Sequence, residues 1–434
     1  MTGAGEERTG FLSAITLAWL FTSLFYFYQY MLRSAPAVMM PELTAGYGTT
    51  AAGLASLIGL FYYGYAIFSL VSGVAIDQLG PRYVVPGGCL AVALGALFFA
   101  SGHGTLGSIG RFLQGAGGVF ALIGAAYLVT KNFPASRAAT LIGATQMFGM
   151  AGGAAGQFLV GPAIAGGLPW YQFWLVMGTV GFFFALLLLF FIPARTPEKN
   201  AASSDWARSA ASAIKTVFCN PQSLLCGLIA AFMFFPTTIF DMVWGVRFLQ
   251  ESHNMPYAEA VMRSASVPLG WIIGCPLLGA LSDRIGRRKP VIIGGAAVLL
   301  GCLMLILFGA PDTFPAYSVG LVAGIASGAA MLPYTIIKEA NLPEHSGTST
   351  GVINFIIFSL TAMFGPIFAG LLAGASNGGE RELVHYQEAF QPLMYGVGVS
   401  IFLTFLLRET GPAVSTAIAT KTTPWTDGRS AAKH

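Results

Sequence analysis

The sequence predicts an all-α integral membrane protein: twelve transmembrane helices in two pseudo-symmetric six-helix bundles. Three observations lead there. The first is composition: 55% of the 434 residues are hydrophobic and 9% charged, whereas a soluble domain carries about 25% charged residues. The second is that apolar runs of the length needed to cross a bilayer, about 20 residues, recur along the whole chain. The third is an internal repeat. The 22 basic and 18 acidic residues nearly balance and form no basic block, which excludes nucleic acid as a partner class. Cys89, Cys219, Cys226, Cys275 and Cys302 lie in or beside apolar runs without metal-ligand spacing, so they read as small packing residues.

In chain order the runs are 14–40, 52–76, 83–102, 106–130, 138–162 and 169–193, then 222–247, 259–281, 289–310, 316–338, 347–374 and 389–408. The first is too long, and its leader MTGAGEERTG too weakly basic, for a cleaved signal peptide, so it counts as a helix. Residues 1–193 form an N-terminal bundle, 194–221 a polar cytoplasmic linker and 222–408 a C-terminal bundle. Residues 409–434 make a polar, Thr/Ala-rich cytoplasmic tail without structure. With the N-terminus inside, 17 of the 22 lysines and arginines fall on the inner side. The positive-inside bias therefore puts both termini in the cytoplasm of a multi-pass cell-membrane protein, read as bacterial.

The halves match each other. Gly73, Asp77 and Gly80 after the second run correspond to Gly279, Asp283 and Gly286 after the eighth at an offset of 206, and Gly161-Pro162 corresponds to Gly365-Pro366 at 204. Duplication of this kind marks transporters built from repeated bundles. An aspartate at such a loop can meet the positive end of a neighbouring helix, and glycine permits the sharp turn.

The loops GVAIDQLGPR and GALSDRIGRRK, together with RFLQGAGG from Arg111 to Gly118, resemble the signature patterns of the major facilitator superfamily along all twelve runs. That resemblance implies alternating access, with Asp77 and Arg82, and Asp283 with Arg284, Arg287 and Arg288, as gates that lock the halves together. It also makes Arg111 a structural or gating arginine. Gln78 and Pro81 replace basic residues common in the pattern, so the first latch is expected to be the weaker.

Charge in a bilayer core is costly and marks function. Arg33, Arg111 and Asp241 are the clear intramembrane cases, with Lys338 and Glu339 at the inner end of run ten. Tyr26, Gln29, Tyr30 and Arg33 share one helical face, and Tyr62 and Tyr65 begin a similar stripe on the next helix. These stripes fit either a packing seam or a cavity wall. A guanidinium among them favours the wall, since it suits a planar anion. The segment YMLR, Tyr30 to Arg33, resembles the first helix of the superfamily's organic-anion transporters, which implies that Arg33 meets a substrate carboxylate. Leu32 and Gly118 stand where proton-coupled members carry acids.

At helical spacing Thr237, Asp241 and Trp244 share a face, and the repeat offset puts Asp241 within two or three positions of the counterpart of Arg33, facing it across the cavity as a proton-coupling carboxylate or a static ion-pair partner. Gln146 and Asn354 are further polar candidates. The expectation is a monomeric secondary transporter of a small organic anion, by exchange or proton coupling, without cofactor, metal or catalytic residues. A proton-driven exporter of amphipathic compounds and a non-transporting membrane sensor or assembly partner are the alternatives.

Overall fold

The computed structural model describes residues 3–193, 206–310, 317–376 and 379–411. Among these residues every regular element is helical, as expected where lipid offers no partners and each backbone group must be satisfied within its own segment. The long helices are α1 (Gly3–Ser34), α2 (Ala51–Leu79), α3 (Pro81–Ala100), α4 (Gly104–Asn132), α5 (Ala138–Phe158) and α6 (Trp170–Phe191). Then follow α7 (Pro221–His253), α8 (Tyr257–Ile285), α9 (Lys289–Phe308), α10 (Ser318–Glu339), α11 (Ser346–Ala375) and α12 (Leu383–Leu406). Eleven of them, α2 to α12, are long and apolar enough to cross a membrane. Helix α1 carries the first predicted run.

Local sequence accounts for several ends. The Thr50 and Asn220 hydroxyl and carboxamide oxygens accept from Gly53 and Gln222 backbone N–H groups, and Pro81 and Pro221 open α3 and α7 where no donor is needed. The repeated glycines Gly80 and Gly286 turn the chain after α2 and α8 with φ of 78° and 71°, a region that disfavours a side chain.

Helices α1 to α6 pack mainly on one another, α4 touching α1, α2 and α3, while α7 packs on α11 and α12 and α10 on α8 and α9. Across the sequence midpoint the main contacts are α2 on α11 and α5 on α8. Both crossings depend on missing side chains. A Cβ at Gly73 would lie 2.6 Å from the Gly347 carbonyl oxygen, and one at Gly279 would lie 2.5 Å from that of Ala139.

Two expectations need correction. The linker 194–221 is not a plain polar loop, because Trp206–Phe218 is helical; residues 194–205 lie outside the described residues. The first tail residues are packed: Glu409 accepts from the Arg288 and Lys289 N–H groups at 2.6 and 3.3 Å, satisfying donors at the start of α9. Residues 412–434 lie outside the described residues.

Candidate functional site

The stripe on α1 becomes one wall of an aromatic cage. The Arg33 guanidinium lies 4.9 Å from the Tyr30 ring centre, 5.0 Å from Tyr62, 5.6 Å from Phe61 and 5.4 Å from Phe358. Three helices therefore surround it, with α11 reaching over from the second half. Its Nη1 is buried without a hydrogen-bond partner. Arg111 shares the Phe61 ring at 5.1 Å and donates to the Leu32 carbonyl and to Gln114 Oε1, which fastens α4 to the turn of α1 that carries Arg33. Among the described residues neither guanidinium has a carboxylate within ion-pair distance. Cation–π contacts offset part of the cost of burial but leave the charge itself uncompensated.

Below the cage, toward the Asp77 end, lies a belt of half-satisfied polar groups. The Tyr26 hydroxyl donates to Gln146 Oε1 at 3.0 Å and lies 3.3 Å from the Tyr30 hydroxyl. Tyr334 donates to Asn354 Oδ1 at 2.6 Å. Gln146 Nε2, Asn354 Nδ2 and the Tyr65 hydroxyl are buried with no partner, and Tyr65 packs on Phe358 with ring centres 4.5 Å apart. Gln29 is buried with both amide atoms unpaired, beside Gly118 of α4. Buried polar atoms are normally bonded, so this concentration marks a place where a polar guest would be gained.

Asp241 and Trp244 are elsewhere: Thr237 and Asp241 line one cavity, as their spacing predicts, but Trp244 does not line it with them. Residues Pro236–Gly245 of α7 are a π-helix, whose wider turn moves Trp244, seven positions on from Thr237, off the face that the α-helical count assumes. Thr237 accepts from Trp271 Nε1 at 2.9 Å. Asp241 accepts from the Ser264 hydroxyl at 3.0 Å, not from Arg33, and lines a cavity of about 170 Å³ between α7, α8, α9 and α10. Trp244 sits under the Arg247 and Arg381 guanidinium groups and beside Phe390.

The repeated aspartates hold the halves together through helix N-termini. Asp77 Oδ1 accepts from Gly347 N–H, and Oδ2 from Thr348 N–H and hydroxyl, each at 2.7 Å, at the start of α11. Asp283 Oδ2 accepts from Thr140 N–H and hydroxyl at 2.9 and 2.8 Å at the start of α5. Arg288 is wholly buried and pairs with Asp283 and with Glu339 of α10 at 2.8 Å. Burial works against its charge, but bonds to Glu339 and Asp283 outweigh burial and hold its pKa above the ordinary arginine value.

Three gate expectations change. Arg82 donates to the Ile192 carbonyl at the end of α6, and Arg284 and Arg287 are exposed. Across the halves Asp77 accepts three of the described bonds and Asp283 two. Glu339, Glu409, Thr140, Thr348, Phe358 and Tyr334 were not singled out for these roles from sequence. One signal was present: Thr140 and Thr348 share an offset of 208 with Gln146 and Asn354.

Comparison with known proteins agrees with this architecture. The sequence model of the Major Facilitator Superfamily matches residues 22–366. The "Probable sulfoacetate transporter SauU" of Cupriavidus necator is 25% identical over 375 residues, covering 80% of this chain and 85% of that protein. The "Hexuronate transporter" of Bacillus subtilis is 26% identical over 367 residues, covering 79% and 84%. The "Membrane sensor protein UhpC" of Salmonella typhimurium is 23% identical over 413 residues, covering 89% and 88%. Among solved structures, the outward conformation of the transporter FucP superposes with a TM-score of 0.69 at 14% identity over 91% of this chain and 99% of that one, a likeness of fold.

Proposed function

Starting from the fact that the chain belongs to the Major Facilitator Superfamily, we propose that it carries a small organic anion across a bacterial cell membrane by alternating access between two six-helix halves. The observation that carries this reading is Arg33: a caged guanidinium with a buried unbonded nitrogen and, among the described residues, no carboxylate within ion-pair distance. Such a group gains most from an anion that supplies both the missing acceptor and the missing charge. The names of the sulfoacetate and hexuronate relatives support an anionic substrate.

In this reading the Asp77 and Asp283 latches lie on the cytoplasmic side with both termini, and their closure leaves the anion path open or occluded toward the outside. A cysteine placed at position 78 or 285, with Cys219 replaced by serine, then resists labelling from outside intact cells.

A thermal-shift screen of the purified protein against sulfoacetate, hexuronates, phosphates and amino acids tests the substrate class. Arg33→Lys keeps the charge but loses the planar two-point contact, so anion affinity falls at least tenfold. Unchanged affinity in that variant removes Arg33 from recognition. Binding of an anion without flux in vesicles favours the sensor reading, in line with the UhpC relative.

Coupling, if protons drive it, is assigned to Asp241. Its one described bond is to Ser264, and it faces a cavity in the second half rather than Arg33. Protonation there acts on the packing of the π-helical segment instead of releasing an ion pair. Asp241→Asn then abolishes uptake driven by a pH gradient and spares anion exchange at equal pH. Gradient-driven uptake that survives in the variant excludes Asp241 from coupling.

A further inference from the structure

A third buried cation lies at the opposite end of the path from Arg33. Lys338, near the end of α10, is 6% exposed, and its ammonium has one described hydrogen bond, a long one of 3.3 Å to the Thr130 hydroxyl of α4 across the two halves. Among the described residues no carboxylate lies within ion-pair distance of it. Its electrostatic neighbour is Asp77, but both oxygens of Asp77 accept from the start of α11. The neighbouring Glu339 is engaged by Arg288 and by the Thr410 hydroxyl. A lysine has three donors and a flexible stem, and burial with one weak bond leaves most of that capacity unused.

The groups beside Lys338 share its condition. Tyr334 and Lys338 are i and i+4 on one face of α10, about 6 Å apart along the helix. Tyr334 belongs to the belt below Arg33 through its bond to Asn354. Between them Thr335 is 2% exposed and its hydroxyl has no partner, and on α11 the Ser346 and Ser349 hydroxyls are buried and unbonded as well. From Arg33 to Tyr26 the drop along α1 is about 10 Å. Among the described residues, the buried polar groups named between the cage and Lys338 are hydroxyls and carboxamides, and Lys338 is the cation at their far end.

We propose that Lys338, with the Thr335 hydroxyl, forms a second anion site at the latch end of the path, covered while the latches are shut and uncovered when Asp77 and Asp283 leave the N-termini of α11 and α5. The site takes the acidic group of the transported anion as it is handed between Arg33 and the cytoplasm. This rests on the anion-transport reading above. It differs from a structural lock, in which Lys338 would serve only to hold Asp77 and the closed state.

The test uses the full chain in liposomes with glucuronate and sulfoacetate as probes, comparing transport initiated from the latch side with transport initiated from the other side. Lys338→Gln raises the apparent KM on the latch side at least fivefold and leaves the KM on the opposite side within twofold. Lys338→Arg restores the latch-side value. Thr335→Val, nearly equal in shape, produces a smaller latch-side rise of two- to fivefold and keeps the question answerable if Lys338→Gln does not fold. Equal changes on both sides make Lys338 a lock and overturn the proposal, as does no change on either side. A wild-type protein that neither binds nor moves either probe, nor any anion of the thermal-shift screen, overturns the anion reading itself and this site with it.

Discussion

The two latches are copies of one sequence motif, yet they are wired differently. In the first, Asp77 spends both oxygens on the N-terminus of α11, while the arginine that follows, Arg82, turns to the Ile192 carbonyl within its own half. In the second, Asp283 divides itself between Thr140 of the opposite half and the buried Arg288, which also holds Glu339. Arg82 and Arg288 stand at the repeat offset of 206. Among the described residues only Arg288 of the two meets acids, because α10 ends in Glu339 and the segment after α12 brings Glu409 to the same turn. In the described bonds, one latch is thus a carboxylate on a helix end, and the other is a charge network with a helix end attached. A motif fixes which groups are presented at a turn, whereas the ends of neighbouring helices fix what those groups bind.

The contrast breaks first at the arginines. Arg288→Met strands Asp283 and Glu339 around an apolar side chain, and a loss of about 3 to 5 kcal/mol is expected from the broken buried network. Arg82→Met removes one bond to a carbonyl and costs about 1 kcal/mol. Chemical or thermal unfolding in detergent measures both, and equal losses would erase the distinction between the latches.

At the glycines the two copies are expected to behave alike. A Cβ at Gly73 or Gly279 meets opposing backbone at 2.6 or 2.5 Å, so either alanine variant must push the halves apart, at about 1 to 3 kcal/mol. Both variants should speed the labelling of a cysteine placed at position 130, beneath Lys338, from the latch side. A response to only one of them would show that the crossings of α2 with α11 and α5 with α8 do not open together.

The smallest effect belongs to the exposed arginines beside the network. Arg284→Ala and Arg287→Ala should each change stability by no more than about 0.5 kcal/mol. A larger loss would extend the second latch beyond Arg288.

The apolar run lengths and the repeat determined, from sequence alone, which segments are long helices and where the paired aspartates fall. Lipid forces every backbone bond to be local, so a run of the right length and composition has one way to be satisfied. The stripe from Tyr26 to Arg33 was legible for the same reason: α1 is a regular helix, and its periodicity is a property of its own axis. Trp244 escaped that logic because Pro236–Gly245 winds as a π-helix, and the partner of Asp241, Ser264 of α8 rather than Arg33, was set by how the helices pack. Partners far apart in the chain also required the packed structure. Phe358 closes the Arg33 cage from 325 positions away, Glu339 and Glu409 reach Arg288 from α10 and the tail, and Lys338 meets Thr130 across the halves. Sequence spacing assigns a side chain to a face of its helix, but which other face lies opposite, and whether a charge there finds a partner, depends on how the helices pack.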